Sequence, residues 1–143
     1  MAVTLADISK LRTMTGAGMM DCKNALTEAA GDFDKAIEII RKKGQAIAAK
    51  RSDRQAAEGC VLADVKDGFG AIVGIKCETD FVAKNADFVA LTRQVLNKAL
   101  TDKPADTAAL LAATIEGRTV ADLITDRSGV TGEKMELGFY ETV

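Results

Sequence analysis

Two apolar runs, residues 60–65 and 71–77, flank the pair Asp67-Gly68 in the middle of the chain. An Asp-Gly pair between two such runs is a strong hairpin signal, because both residues tolerate the backbone angles of a two-residue turn. The second run is rich in β-branched residues, which is typical of a buried strand. These residues predict two consecutive antiparallel strands, around which the rest of the chain is organised.

The second run ends at Glu78-Thr79-Asp80, directly before Phe81. These polar residues favour turns and helix starts, so the strand should give way here to a turn or a short helical segment. The residues alone leave two interpretations open. Asp80 can be an N-cap while Phe81 and Val82 fold inward as core. Alternatively, Phe81, one of six aromatic residues in the chain, lies at the edge of the element and contacts something outside the core.

The first 45 residues contain three short helical patterns separated by glycine-containing turns. Apolar residues at helical spacing predict a first helix from about residue 5, a second over about 19–29 and a third that ends at Gly44. The caps and stops that we predict are Thr4 with Asp7, Gly16, Gly31, Asp32 and Gly44. Residues 1–45 should therefore form a compact three-helix bundle, a small module suited to binding.

Residues 46–58 are rich in alanine and charge, and we interpret them as an exposed linker that can be partly helical. The alternative is a nucleic-acid patch, because residues 41–54 hold six Lys/Arg and one acid. However, no aromatic residue is interleaved for base stacking, which favours the linker. Residues 1–55 carry a net charge of +3 and residues 56–143 a net charge of −5, which favours two structural units.

The second unit, residues 59–143, should continue from the hairpin into helices. Helix starts are predicted at Asn85, at Asp106 and after Gly117-Arg118-Thr119. The tail then alternates as a strand with Met135, Leu137 and Phe139 on one side. Since the chain stops just after this strand, we expect it to be a piece of a longer protein.

The composition argues against most enzyme classes. The chain has no histidine, the commonest general base and metal ligand, and no Cys-x-x-Cys spacing that would hold zinc. Three widely spaced cysteines fit reduced core residues better than disulfides. A thiol enzyme using Cys77 or Cys22 remains an alternative, but no activating cation or base is placed nearby. No run is long enough to span a bilayer, so we expect a soluble, cytoplasmic protein without metal or cofactor.

Two segments resemble a known family. Residues 11–26, with Thr15-Gly16-Ala17-Gly18-Met19-Met20-Asp21-Cys22-Lys23 at their centre, are similar to one signature segment of the elongation factor Ts family. Cys77-Glu78-Thr79-Asp80-Phe81-Val82-Ala83-Lys84 is similar to the other. The order and separation of the two segments also fit. The resemblance implies an α+β fold: a module like a ubiquitin-associated domain, then half of a core built on an antiparallel sheet.

The resemblance also implies a function, guanine-nucleotide exchange on the GTPase elongation factor Tu, with no direct contact to nucleic acid or membrane. The residues that would disturb the magnesium site of the GTPase are Thr79, Asp80, Phe81 and Val82. Those of the N-terminal module that would touch its nucleotide-binding domain are Met19, Met20 and Lys23. Adjacent methionines cannot both point inward on a helix, so we expect one in the core and at least one exposed. The chief alternative is a general protein-interaction module without exchange activity.

Overall fold

The computed structural model describes residues 2–143, in which helices and strands alternate as an α+β fold, as predicted. Within this range no helix is long and apolar enough to cross a lipid bilayer. In chain order the elements are α1 (Leu5–Thr15), α2 (Met19–Glu28), α3 (Phe33–Lys50), β1 (Glu58–Lys66), β2 (Phe69–Cys77), α4 (Asp80–Ala83), α5 (Ala86–Asp102), α6 (Thr107–Ala112), β3 (Thr114–Ile115), β4 (Arg118–Thr119), α7 (Val120–Thr131) and β5 (Glu136–Thr142).

Helices α1 to α3 form the predicted N-terminal bundle around a small core of their own. Thr4 and Asp7 form a capping box at the start of α1, each side chain accepting a hydrogen bond from the backbone N–H of the other. Gly16 ends α1 in the left-handed conformation at φ 73°, which a side chain would disfavour. The buried residues of this bundle include Ile8, Leu11, Cys22, Ala25, Leu26 and Ala36.

The predicted end of α3 at Gly44 is wrong, because the helix continues to Lys50. Gly44 is buried where α3 crosses α7, and a Cβ atom added to Gly129 of α7 would lie 2.3 Å from the Cα atom of Gly44. This glycine permits a close helix crossing rather than a helix end. Residues 46–50 therefore belong to α3, and residues 51–57 connect it to the sheet. The division of the chain into units at 45 and 58 stays a prediction.

The larger sheet is antiparallel with strand order β1-β2-β5. Lys66 pairs with Phe69 across the predicted two-residue turn, in which Asp67 and Gly68 have φ angles of 53° and 78°. Both angles are positive, as a tight hairpin turn that follows the twist of the strands requires. The hairpin prediction is confirmed.

Strand β5 does not keep the predicted alternation. Leu137 pairs with Ile75 and Phe139 with Gly74, so that Gly138 is an extra residue, a β-bulge. After the bulge, the residues that face the core are the even-numbered ones instead of the odd-numbered ones. Tyr140 is therefore buried in the core, and Phe139 is 37% exposed on the opposite face. There its ring covers Gly74, where a Cβ atom would lie 2.6 Å from it. The prediction that Phe139 shares a side with Met135 and Leu137 is therefore wrong.

Helix α5 covers one face of the sheet and supplies much of the main core. The helix starts beside Asn85 as predicted, and Asn85 caps it by accepting from the backbone N–H groups of Asp87 and Phe88. Asp106 and Thr119 cap α6 and α7 in the same way. The largest fully buried side chains of this core are Phe88, Ile75, Leu96, Leu110, Val73, Val95 and Val120. Strand β2 is thus buried along its inner face, and the segment that follows Cys77 starts from a fixed point.

Candidate functional site

Phe81 projects from the short helix α4 and is 85% exposed. The next residue, Val82, is half-buried and packs against the main core. Consecutive residues of a helix point about 100° apart, so anchoring Val82 beneath the helix directs Phe81 outward. The structure therefore contradicts the interpretation that both residues fold inward. It agrees with the alternative, in which Phe81 is available for contact outside the core.

Thr79 rather than Asp80 is the N-cap of α4. Its hydroxyl oxygen accepts a hydrogen bond from the backbone N–H of Val82 at 3.4 Å. Asp80 is the first residue of the helix and is exposed, so its carboxylate lies near the positive end of the helix. The prediction of Asp80 as the cap was wrong by one residue. Asp80 is consequently free to contact a partner.

The carboxylate of Glu133 holds one side of the turn before α4. Its Oε1 atom accepts hydrogen bonds from the backbone N–H groups of Glu78 at 3.1 Å and Thr79 at 3.0 Å. Its Oε2 atom accepts one from the Thr79 hydroxyl at 2.6 Å. Glu133 follows Gly132, the C-cap of α7, so its position is set by the end of that helix. Three charge-assisted hydrogen bonds fix the turn from which Phe81 extends.

Glu78 holds the opposite side of the same turn. Its carboxylate accepts a hydrogen bond from the backbone N–H of Lys134 at 2.8 Å and lies 3.4 Å from the guanidinium of Arg54. The Lys134 N–H, and secondarily Arg54, lower the pKa of Glu78 from its ordinary value. Arg54 belongs to the segment that connects α3 to β1. The turn is therefore tied to the N-terminal half as well as to α7.

Sequence reasoning missed both Glu133 and Arg54. Glu133 lies 54 and 55 positions from the residues that it binds, and a local pattern does not report contacts over that distance. Arg54 was grouped with the charged linker, and its pairing with Glu78 depends on the sheet bringing them together. No local signal would have distinguished either residue from an ordinary surface charge.

Cys77 lies beneath the turn and is an unreactive thiol. It is fully buried, and its Sγ atom donates to the carbonyl oxygen of Thr79 at 3.3 Å. Burial, and next the charge of Glu133, raise the pKa of Cys77 to about 11. Burial also raises the pKa of Cys22. A nucleophilic thiol requires the opposite shift, so this environment argues against the thiol-enzyme alternative.

Alkylation of the native protein should therefore discriminate among the three thiols. At pH 8, three units below its pKa, about one Cys77 in a thousand is a thiolate, and access is blocked as well. We expect iodoacetamide to modify the half-buried Cys60 first and to leave Cys22 and Cys77 largely unmodified, as measured by peptide mass spectrometry. Unfolding in urea should make the three cysteines react with iodoacetamide at similar rates. Rapid modification of native Cys77 would contradict the assigned environment.

Met19, Met20 and Lys23 lie together on α2 and are all exposed, with Met19 at 47% and Met20 at 65%. The prediction that one of the methionines is core is wrong, because Cys22, Ala25 and Leu26 fill the inner face of the helix. Asp21, in the same turn, forms an exposed ion pair with Lys43 of α3. Lys23 makes no ion pair within the described residues 2–143. These side chains and Phe81 thus form two separate exposed surfaces.

Comparison with known proteins gives concordant similarities. A family model described as elongation factor TS matches residues 78–143, a range that includes both the Phe81 turn and Glu133. Elongation factor Ts of Porphyromonas gingivalis is 69% identical over 144 aligned residues, which cover the whole chain and 53% of that protein. The Bacteroides fragilis and Phocaeicola vulgatus proteins of the same name are 66% and 64% identical, covering 98% and 100% of this chain. The chain spans about half the length of these relatives, with 42% and 44% of the latter two covered.

Proposed function

This chain belongs to the elongation factor Ts family, and we propose on that basis that it acts in translation elongation by promoting release of GDP from elongation factor Tu. The observation that carries the proposal is Phe81, an aromatic ring 85% exposed on a turn that buried and hydrogen-bonded groups hold in place. The ring contributes little to the core of this chain, since most of its surface remains in contact with solvent. A partner pocket that receives it gains about 1.5–3 kcal/mol from its burial.

In this proposal Phe81 enters the GTPase beside its magnesium site. Magnesium bound to a nucleotide demands near-ideal octahedral geometry, so a small shift of the groups around it loosens both the ion and the phosphates. A ring that fits only the shifted arrangement stabilises that arrangement. Thr79 and Val82 hold the ring in position, the first as a cap and the second as an anchor. Asp80 either hydrogen-bonds the partner backbone or supports the helix start.

The second surface, formed by Met19, Met20 and Lys23, would contact the nucleotide-binding domain of the same GTPase. Methionine is flexible and polarizable, which suits a contact surface, and Lys23 adds a charge within reach. Exchange then follows from linkage. If the factor binds the empty GTPase more tightly than the GDP form, GDP weakens factor binding by the same ratio. No covalent step is needed.

The test is release of fluorescent GDP from purified elongation factor Tu in the presence of excess unlabelled GDP. We expect this chain to accelerate release in a saturable manner. Because the proposed action is on the magnesium site, the acceleration should shrink when EDTA has already removed the ion. Binding by calorimetry without acceleration would favour the general protein-interaction module instead. The absence of both binding and acceleration would refute the proposed function.

A further inference from the structure

Helix α7 contacts residues that hold both exposed surfaces, Phe81 and the Met19–Lys23 surface, in place. Glu133, directly after its C-cap, fixes the turn that carries Phe81. Gly129, within the helix, packs against Gly44 of α3. Helix α3 in turn packs against α2, which carries Met20, through the buried core that contains Leu26 and Ala36. One continuous series of packed elements therefore connects the two surfaces.

The contact between α7 and α3 is backbone against backbone. A Cβ atom on Gly129 would lie 2.3 Å from the Cα atom of Gly44 and 3.2 Å from its carbonyl oxygen. A Cβ atom on Gly44, in contrast, would lie 3.6 Å from the nearest atom, the Cα of Gly129, which is ordinary van der Waals contact. The crossing is thus intolerant of a methyl group on one side and tolerant of it on the other. Close packing of this kind makes the crossing sensitive to the addition of a single methyl group.

Arg127 forms a second connection from the same helix. Its Nη2 atom lies 2.9 Å from the position that a Cβ atom of Gly16 would take, so the guanidinium sits against the C-cap of α1. A cation there is favoured by the helix dipole. Its Nη1 atom lies 3.8 Å from the carboxylate of Asp87 in the first turn of α5. The side chain is only 20% exposed. Arg127 therefore lies between the first helix of the bundle and the main core, where its partner Asp87 is 75% exposed.

We propose that α7 fixes the separation and orientation of the Met19–Lys23 surface and Phe81, so that both engage a single partner molecule at once. This inference rests on the proposed function for the identity of that partner. Once one surface has bound, a rigid connection makes the second contact intramolecular, which can raise the overall affinity by about 10²–10⁴ over either contact alone. Holding the spacing in advance avoids ordering the two surfaces during binding. Gly129 and Arg127 are positioning residues in this account.

The experiment compares Gly129→Ala with Gly44→Ala. Both exchange a helical glycine for alanine, so the gain in helix propensity is the same and only the crossing differs. We expect Gly129→Ala to raise the factor concentration that gives half-maximal GDP release at least about tenfold. The maximal rate should stay within about twofold of wild type, because α7 and the Phe81 turn belong to the same core and the substitution displaces the N-terminal bundle relative to both. Gly44→Ala should match wild type in both quantities.

Residual dipolar couplings supply a readout that does not depend on exchange. In wild type and Gly44→Ala, one alignment tensor should fit the couplings of residues 2–43 and 58–143 together. In Gly129→Ala, residues 2–43 and residues 58–143 should each require a separate alignment tensor. If Gly129→Ala had the same half-maximal concentration as wild type, the inference would be overturned. A tenfold increase in that concentration would also overturn it if one shared tensor still fitted both ranges of Gly129→Ala. If wild type itself does not accelerate GDP release, the proposed function is refuted. That result differs from both outcomes that would overturn the inference about α7.

A second pair of variants keeps the test valid if Gly129→Ala does not fold. Arg127→Ala removes the connection between α1 and α5 without adding an atom to the crossing. Arg93→Ala is its matched control, because Arg93 forms an exposed ion pair with Asp64 at 3.2 Å that joins α5 to β1 and does not reach the N-terminal bundle. We expect a raised half-maximal concentration for Arg127→Ala alone, by about threefold, because the crossing of Gly44 with Gly129 and the contact of Arg54 with Glu78 remain. Equal behaviour of the two arginine variants would overturn the role of α7.

Discussion

Replacing Phe81 with alanine should lower the maximal rate of GDP release from elongation factor Tu about thirtyfold and leave the protein folded. Aromatic residues that fill a partner pocket typically contribute about 2 kcal/mol or more, and each 1.4 kcal/mol corresponds to a factor of ten in rate. Because the ring is 85% exposed, it contributes little to the core. The free energy of unfolding should therefore change by less than about 0.5 kcal/mol.

Two further variants make this result specific. Phe81→Leu keeps apolar volume without the ring and should retain an intermediate rate. Val65→Ala alters another exposed apolar side chain, 69% exposed on the hairpin, and should release GDP at the wild-type rate. Stopped-flow release at saturating factor, with urea unfolding in parallel, provides the measurement. A wild-type maximal rate for Phe81→Ala would exclude the ring as the displacing group, whatever its exposure.

Local patterns predicted the elements that local physics controls. The Asp67-Gly68 hairpin, the caps at Thr4 and Asp32, the helix start at Asn85 and the strand ending at Cys77 were all predicted from neighbouring residues. Each depends on backbone angles or hydrogen bonds within a few positions.

The errors arose where distant packing decides. Gly44 was interpreted as a helix end because glycine commonly is one, yet its contact lies 85 positions away at Gly129. The alternation in β5 failed at Gly138, where an extra residue in one strand cannot be recognised without its partner. The residues next to each glycine do not distinguish Gly44 from a helix end or Gly138 from an ordinary strand residue. The roles of both become visible only from the element that packs or pairs opposite them.

The site was predictable in part for the same reason. The sequence placed an aromatic residue at a break between a strand and a helix, but the residues alone did not decide whether Phe81 faced in or out. That decision belongs to Val82, which occupies the inner face of α4. Similarly, both methionines of α2 are exposed because Cys22, Ala25 and Leu26 already fill the bundle interior. Which side chains occupy the interior depends on the packing of the whole fold, so a short stretch of sequence does not determine it.

Glu133 offers the second large effect, because it acts on Phe81 without touching the partner in this account. Glu133→Ala removes the acceptor of two backbone N–H groups and of the Thr79 hydroxyl. Losing a charged acceptor typically costs about 1.5–3 kcal/mol, here in the stability of the turn. We expect the maximal rate of GDP release to fall about tenfold, since a mobile ring must be ordered when it binds. Glu136→Ala, which removes an exposed acid three residues away, should have no such effect.

Glu133→Gln separates hydrogen bonding from charge. The amide oxygen can still accept from the N–H groups of Glu78 and Thr79, so exchange should stay within about threefold of wild type. Amide hydrogen exchange at these two positions should remain slow in Glu133→Gln and become fast in Glu133→Ala. Both variants remove a charge that, after burial, helps to raise the pKa of Cys77, so that pKa should fall below about 11 in both. If Glu133→Ala lost amide protection but released GDP at the wild-type rate, a fixed turn would not be needed, and Phe81 would act as a flexible side chain.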